Sequence, residues 1–303
     1  MLRFVLASIL TVFLAWTPPA PADDPGDRLA SAGGRAAVKR VLLLGQGPDN
    51  HPFGAHEYMA GMHVLARCLH PVEGLQTVIV KADEPWAEGP ELLDGADGAV
   101  VFLSEGAKWL SQDRARLAAF QRLAERGGGL VVLHWGMGCR DAGPIDNFVR
   151  LFGACHGGPD RKFKVLTATL EPATDGHPLL AGIRPLRVHD EFYYRLKQVP
   201  SAEGGAGNPV TPLLRVTIDD EPQLVAWAWE RPDGGRSAGF SGGHFHETWK
   251  HEAYRRFMAQ AVLWTLELPV PDEGLAVELG ERELKLEPRS ETPEPAGQTP
   301  AAN

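Results

Sequence analysis

Four short apolar runs constrain what this chain can fold into. "RVLLLG" (40–45), "LQTVIV" (75–80), "GAVVFL" (98–103) and "LVVLH" (130–134) are continuous rather than alternating. A strand with one wet face alternates apolar and polar residues, so an unbroken run marks a strand covered on both faces. Between the first two runs, Met62, Leu65, Ala66 and Leu69 recur at helical spacing. A second helix is expected from Ser111, as N-cap, to the Gly127-Gly128-Gly129 stop. Strands of parallel type with helices between them build a doubly wound α/β sheet. After His134, "FKVLTATL", "LRVTI" and "QLVAWAWE" read as ordinary strands, and "AYRRFMAQAVLWTLEL" (253–268) as a closing amphipathic helix. The expectation is one α/β domain over 39–270: a mostly parallel sheet, an antiparallel extension and a final helix packed on it.

The ends read differently. Residues 1–22 place Arg3 before an apolar run from Phe4 to Trp16 and a small-x-small Ala20-Pro21-Ala22, the pattern of a signal peptide cleaved before Asp23. The apolar run falls short of the roughly 20 residues of a spanning helix, which disfavours an uncleaved anchor. Export to the periplasm or medium, without stable membrane insertion, is therefore expected. Residues 23–38 suit a linker. Residues 271–303 hold eight acids and three bases and many prolines, so a disordered tail is expected there. The net charge of −9 and the lack of any Lys/Arg-rich run argue against nucleic acid and for a small neutral partner.

In open α/β sheets, ligands bind outside the carboxyl ends of the strands. Four places reach that rim. The loop after the first strand carries His51, His56 and Glu57, and the fourth strand ends at His134. "RVHDEFYYRL" supplies His189, Asp190, Glu191 and Tyr193, and "SGGHFHE" supplies His244 and His246. A single histidine at a strand end is more often a hydrogen-bonded structural residue than a ligand, but clustering changes the balance. In an extended H-x-H both imidazoles face one side, so His244 and His246 are a candidate ligand pair; a sharp turn there would send only one inward. With His56, His134 and Glu191 they make a mixed N/O shell suited to a divalent ion, zinc favoured, with one position left for water or a sugar oxygen.

Two other chemistries are weaker. "GQGPDN" lacks the full G-x-G-x-x-G pattern, so no nucleotide cofactor is expected. Cys139 follows a strand end as a nucleophile would, but no elbow motif surrounds it. Cys68, in "MHVLARCL", reads as a small buried hydrophobe, and three cysteines leave at least one unpaired within the chain.

"GPDNHPFGAHEYMAGMHVLARCL", "GGGLVVLHWG", "HDEFYYRL" and "AWAWERPDGGRSAGFSGGHFHETWKHEAYRRFMAQAVLW" together resemble the ThuA-like, or trehalose-utilisation, family over about 40–269. The resemblance implies a flavodoxin-like fold similar to class I glutamine amidotransferases. Their nucleophilic cysteine has His134-Trp135 in its place here, so amidotransferase chemistry is not expected. "PDNHPFG" departs from the serine–histidine pair that relatives often show. The resemblance also implies a carbohydrate substrate, trehalose-related or a keto-sugar. On this reading a metal or histidine polarises a sugar oxygen, while Glu191, Asp190, His134 and Tyr193 are the catalytic candidates, with Trp135 and Trp249 available for stacking. Hydrolysis, isomerisation and elimination would all use such a pocket. The alternative is a non-catalytic sugar- or protein-binding module on a degenerate amidotransferase-like scaffold.

Overall fold

The computed structural model describes residues 38–200 and 208–288. The segments expected to be a signal peptide (1–22) and a linker (23–38), the latter but for its last residue, lie outside them, as do residues 201–207 and the last fifteen residues. In chain order the elements are β1 (Lys39–Gly45), α1 (Tyr58–Leu69), β2 (Leu75–Lys81), α2 (Gly89–Asp94), β3 (Gly98–Phe102), α3 (Gly106–Gln112), α4 (Arg114–Glu125) and β4 (Gly129–Leu133). Then come β5 (Gly138–Cys139), α5 (Ile145–Phe152), β6 (Ala154–Gly157), β7 (Lys162–Pro172), β8 (Leu186–Tyr194) and β9 (Lys197–Gln198). The chain closes with β10 (Thr211–Ile218), β11 (Glu221–Glu230), β12 (Arg236–Phe240), α6 (Glu252–Thr265) and a short α7 (Glu281–Leu284).

Nine strands form one sheet in the order β2-β1-β3-β4-β12-β11-β10-β7-β8. The first five are mutually parallel, and their order is the flavodoxin-like 2-1-3-4-5 with β12 as the fifth strand. From β12 outward every pairing is antiparallel. Three of the four apolar runs, in β1, β3 and β4, are covered on both faces as expected, whereas β2 is the edge strand and its residues are only half-buried or exposed. Val41 and Leu43 of β1 join one hydrophobic layer with α1 and α6, while Leu42 and Leu44 join a second layer with helices α2 to α5. β3 and β4 divide in the same way. Cys68 is buried in α1 as expected.

Three expectations need correction. The single helix from Ser111 is two, because Asp113 takes an extended backbone and its side chain accepts from Arg116 N, making it the N-cap of α4. The fifth parallel strand, "RSAGF", was invisible to pattern reading: its Gly239 has almost no side chain and packs against the Trp227 ring. The third correction concerns the tail. Residues 271–288 are not a free coil, since Val277 and Leu284 are buried in the α1/α6 layer. Arg255 Nε donates to Val277 O at 3.1 Å, Arg256 Nε to Leu275 O at 2.8 Å, and Leu275 N to Gln260 Oε1 at 2.8 Å. The acids sit on the outward side of a strap whose few apolar residues dock, which composition alone hides.

Fully burying one such side chain stabilises by roughly 1.5–3 kcal/mol. A chain ending at Pro271 should therefore melt roughly 5–15 °C below the full chain, at about 2–4 °C per kcal/mol for a domain of this size. Equal melting temperatures by circular dichroism would restore the picture of a free tail.

Candidate functional site

The parallel strands end at a common rim, and β4 ends there in a sharp turn. Leu133 is extended, and His134 then enters a left-handed backbone at φ +43° to begin a 3₁₀ turn through Met137. Such a φ is uncommon for a residue with a Cβ, and its surroundings must hold it. They do so by close backbone approach: a Cβ on Gly106 would lie 2.0 Å from Gly136 O, and one on Gly136 would lie 2.5 Å from Val101 O. The "LHWG" turn is locked by glycines and presents a fully buried imidazole where a nucleophile elbow would present its side chain.

Two loops close over it. Ala55 pairs with Phe245 in an antiparallel bridge, His56 N donates to His244 O at 2.9 Å, and His246 N to Gly54 O at 2.8 Å. His56, also left-handed at φ +53°, is thereby set against His244. The loop carrying His244 is held from beneath by Asp190. That carboxylate accepts from Gly243 N (2.6 Å), His244 N (3.0 Å), Phe245 N (3.3 Å), Glu191 N (2.8 Å) and Thr248 Oγ1 (2.9 Å). Burial lifts its pKa to about 6 against those hydrogen bonds. With both oxygens occupied by donors, Asp190 positions the loop and does not face the reacting space.

The geometry of the histidines fixes their tautomers. His134 Nδ1 lies 2.8 Å from Ser241 O, an acceptor only, so Nδ1 carries the hydrogen and Nε2 the lone pair. His56 Nδ1 lies 2.7 Å from Asp49 Oδ2, which also accepts from Tyr58 OH at 2.8 Å. Burial alone would raise Asp49, but hydrogen bonds from His56, His51 and Tyr58 and the charge of His56 hold it far below the carboxylate range. Asp49 is ionised, and His56 Nδ1 donates to it. Both Nε2 atoms are then acceptors, and they face each other at 3.1 Å. His244 Nδ1 completes the group, 3.2 Å from His134 Nε2. Burial, and then the neighbouring imidazoles, pushes His134 well below its ordinary value and His244 to about 3; burial also lowers His56 despite the pull of Asp49. At neutral pH the cluster is uncharged.

Glu191 and Tyr193 follow Asp190 on β8 and point to the other face of the strand, as period two demands. Glu191 Oε1 is 3.8 Å from His134 Nε2 and 3.7 Å from His244 Nδ1, and burial, then the charge of Asp190, raises its pKa to about 7. The Tyr193 ring is sandwiched between His134 (centroids 4.4 Å apart) and His156 (3.8 Å), with its hydroxyl 3.0 Å from His134 Nε2. These groups border a cleft of about 160 Å³ lined by His51, His56, Trp135, Arg140, His156, Arg161, Phe163, Glu191 and Tyr193.

Of the residues singled out in the sequence, His56, His134, His244, Glu191 and Tyr193 come together, with the His51 ring tilted against that of His56 (centroids 3.7 Å apart) and Trp135 in the cleft wall. His246 does not join them: the chain turns into a 3₁₀ segment there, and its Nε2 bonds to Leu284 O at 3.1 Å. Glu57 Oε1 accepts from Gly54 N and shapes its loop. His189 stacks on Phe245 on the far side of that loop. Trp249 is a core residue, and Cys139 is fully buried, which leaves it no approach for a substrate. Sequence reading missed Asp49, Tyr58, His156 and Arg161. Asp49 alone carried a signal, as an acid seven residues before a histidine in the same rim loop.

A family profile described as "Trehalose utilisation", ThuA, matches residues 49–265, from the Asp49 loop to the end of α6. The chain belongs to the ThuA family. A ThuA-like protein from Bacteroides uniformis superposes on this ThuA chain with a TM-score of 0.57 at 17% identity, covering 82% of this chain and 95% of its own. One from Parabacteroides merdae gives 0.56 at 15% identity, covering 76% and 90%. At such identities the likeness is one of fold. No curated protein sequence matches the ThuA chain.

Burial, and then Arg161, holds His156 down to about 3 in the folded ThuA domain, whereas an unfolded imidazole takes up a proton near 6.5. A group with a depressed folded pKa contributes stability above its unfolded pKa and loses it as pH falls. His156→Phe keeps the stack on Tyr193 and removes this titration. The variant should therefore gain on the wild type as pH falls from 7, by about 2 kcal/mol at pH 5. Parallel melting-temperature profiles would rule out a buried neutral His156.

Proposed function

We propose that this protein performs metal-assisted acid–base chemistry on a carbohydrate, with His56, His134 and His244 as the protein ligands. One observation carries the reading: two Nε2 lone pairs, each fixed by a hydrogen bond on the opposite side of its ring, face each other at 3.1 Å with a third imidazole nitrogen 3.2 Å away. Neither Nε2 can donate to the other, and a cation between them satisfies all three nitrogens. Ligand nitrogens about 2.0–2.1 Å from a tetrahedral zinc stand about 3.3 Å apart, close to the spacing seen. The remaining surroundings fit as well. Asp49 and Ser241 O orient two of the ligands through the far ring nitrogen, the usual outer support of a metal histidine.

A divalent ion held there would polarise a sugar carbonyl or hydroxyl. Glu191 is the proton carrier, because it borders the histidines and its pKa of about 7 lets it both take and return a proton near neutrality. The Tyr193 hydroxyl, kept protonated by burial, lies 3.0 Å from His134 Nε2 and would be free to donate to a substrate oxygen once that nitrogen ligates an ion. Trp135 offers an apolar wall for a sugar ring. Trehalose-related sugars or keto-sugars are the substrate class that membership of the ThuA family supports, and the leader-like residues 1–22 support a reaction outside the cytoplasm.

Two measurements test this. Elemental analysis should find about one zinc or similar ion per chain after purification or reloading, lost in His244→Ala and bound roughly 10–100-fold more weakly in Asp49→Asn. Wild-type protein that neither carries nor takes up a metal sinks the reading. Glu191→Gln should keep the metal and lower turnover of a keto-disaccharide by about 10²–10⁴-fold; unchanged turnover would remove Glu191 from the chemistry.

A further inference from the structure

The cleft has a second end that the histidine chemistry leaves unused. From the histidines inward the order is His134, Tyr193, then His156 and Trp135, whose rings lie 3.8 and 5.8 Å from that of Tyr193. Two guanidiniums border Trp135: Arg140 Cζ is 5.7 Å and Arg161 Cζ 6.0 Å from its ring centroid. They are not equivalent. Arg140 is paired with the Glu105 carboxylate. Arg161 is half-buried and donates to Gly158 O at 3.2 Å, and among the described residues its guanidinium has no carboxylate partner. The nearest acid on its loop, Asp160, is engaged by Lys197. The one carboxylate lining the cleft is Glu191, and it stands at the histidine end, on the far side of the stacked Tyr193.

We propose that Arg161 is the anion-binding residue of this cleft and that the substrate is a sugar bearing a carboxylate, held with its acid group on Arg161 and its reacting carbon at the histidines. A planar guanidinium binds a carboxylate through two parallel hydrogen bonds, and a single uncompensated one matches a single negative charge. A phosphate dianion usually gathers backbone N–H groups or several cations, and none but these two arginines borders the cleft. Size agrees with charge. At roughly 30 Å³ per water, about 160 Å³ equals about five waters, room for one sugar unit inside the cleft, with the second ring of a disaccharide lying outside it. Phe163, 55% exposed, also lines the cleft and offers an apolar surface to such a ring. This deepens the carbohydrate reading above and rests on it for the position of the reacting carbon, but the arginine contact stands on its own geometry.

Calorimetric titration of the full chain, with and without added zinc, separates the two. D-Glucuronate should bind at least tenfold more tightly than D-glucose, which differs from it only in having a hydroxymethyl for the carboxylate. Arg161→Gln should weaken D-glucuronate by about 10- to 100-fold and leave D-glucose unchanged, with Arg161→Lys between them, because a charged hydrogen-bonded pair is lost. Equal binding of the two sugars, or D-glucuronate binding indifferent to Arg161→Gln in a variant whose circular dichroism is native, overturns the proposal. So does tighter, Arg161-dependent binding of D-glucose 6-phosphate, which would make the subsite one for phosphate. Arg161-dependent glucuronate binding in a protein that takes up no zinc would remove the metal reading and keep this one. Zinc uptake without any preference for the acid would do the reverse.

Discussion

The buried carboxylate of Asp190 is the interaction on which the site depends. It lies on β8 at the antiparallel end of the sheet, yet four backbone N–H groups and one hydroxyl converge on it, three of them from residues 243–245 in the loop that leaves the parallel end. A fully buried carboxylate is costly unless hydrogen-bonded, and here four of the five donors are backbone N–H groups that themselves need an acceptor. The pairing therefore ties the two halves of the sheet together and sets the position of His244. Because side chains alternate along a strand, fixing Asp190 inward also fixes Glu191 and Tyr193 toward the cleft. One buried charge thus places three of the groups around the histidines.

Much of this was legible in the chain. The unbroken apolar runs gave the two-sided parallel sheet, because no other environment tolerates Val and Leu on both faces of a strand, and the rule that ligands sit at strand ends then selected His56, His134, Glu191 and His244. What stayed hidden depended on tertiary geometry. Whether His244 and His246 point the same way turned on where the extended backbone stops, and it stops at His246. Asp190 and Glu191 look alike as neighbouring acids, and only the phase of β8 separates the positioning residue from the cleft residue. His156 is a lone histidine beside a cysteine in a four-residue strand, with no periodicity to reveal that its ring stacks on Tyr193. The tail was misread for the complementary reason: two buried side chains among many acids outweigh the composition.

The place of His134 bears on how this scaffold relates to those with a nucleophile at the same turn. A strained strand-to-helix turn serves a nucleophile because it lifts one side chain clear of the sheet, toward nearby N–H donors. Here the same strain, φ +43° locked by Gly106 and Gly136, lifts an imidazole instead, and its far nitrogen is anchored to Ser241 O from the neighbouring parallel strand's end. The cysteine closest in sequence, Cys139, is driven into the core behind Gly157, whose own Cβ would come within 2.8 Å of its sulfur. The turn thus displays an imidazole that cannot serve as the thiol or hydroxyl nucleophile of such an elbow.

That substitution has an energetic consequence. Two residues with left-handed backbones, His56 and His134, each cost on the order of 1–3 kcal/mol, and three neutral imidazoles are buried with lone pairs pointing at one another. Folding alone gives no reason to gather them: an apolar side chain at any of the three positions would relieve the repulsion, and a glycine at 56 or 134 the strain. Their convergence makes a donor set that could hold a cation, and a cation between the nitrogens would offset that repulsion. The depressed basicity of the cluster follows from the same arrangement, since burial and mutual repulsion keep protons off and so keep the lone pairs available for that partner over a wide range of pH.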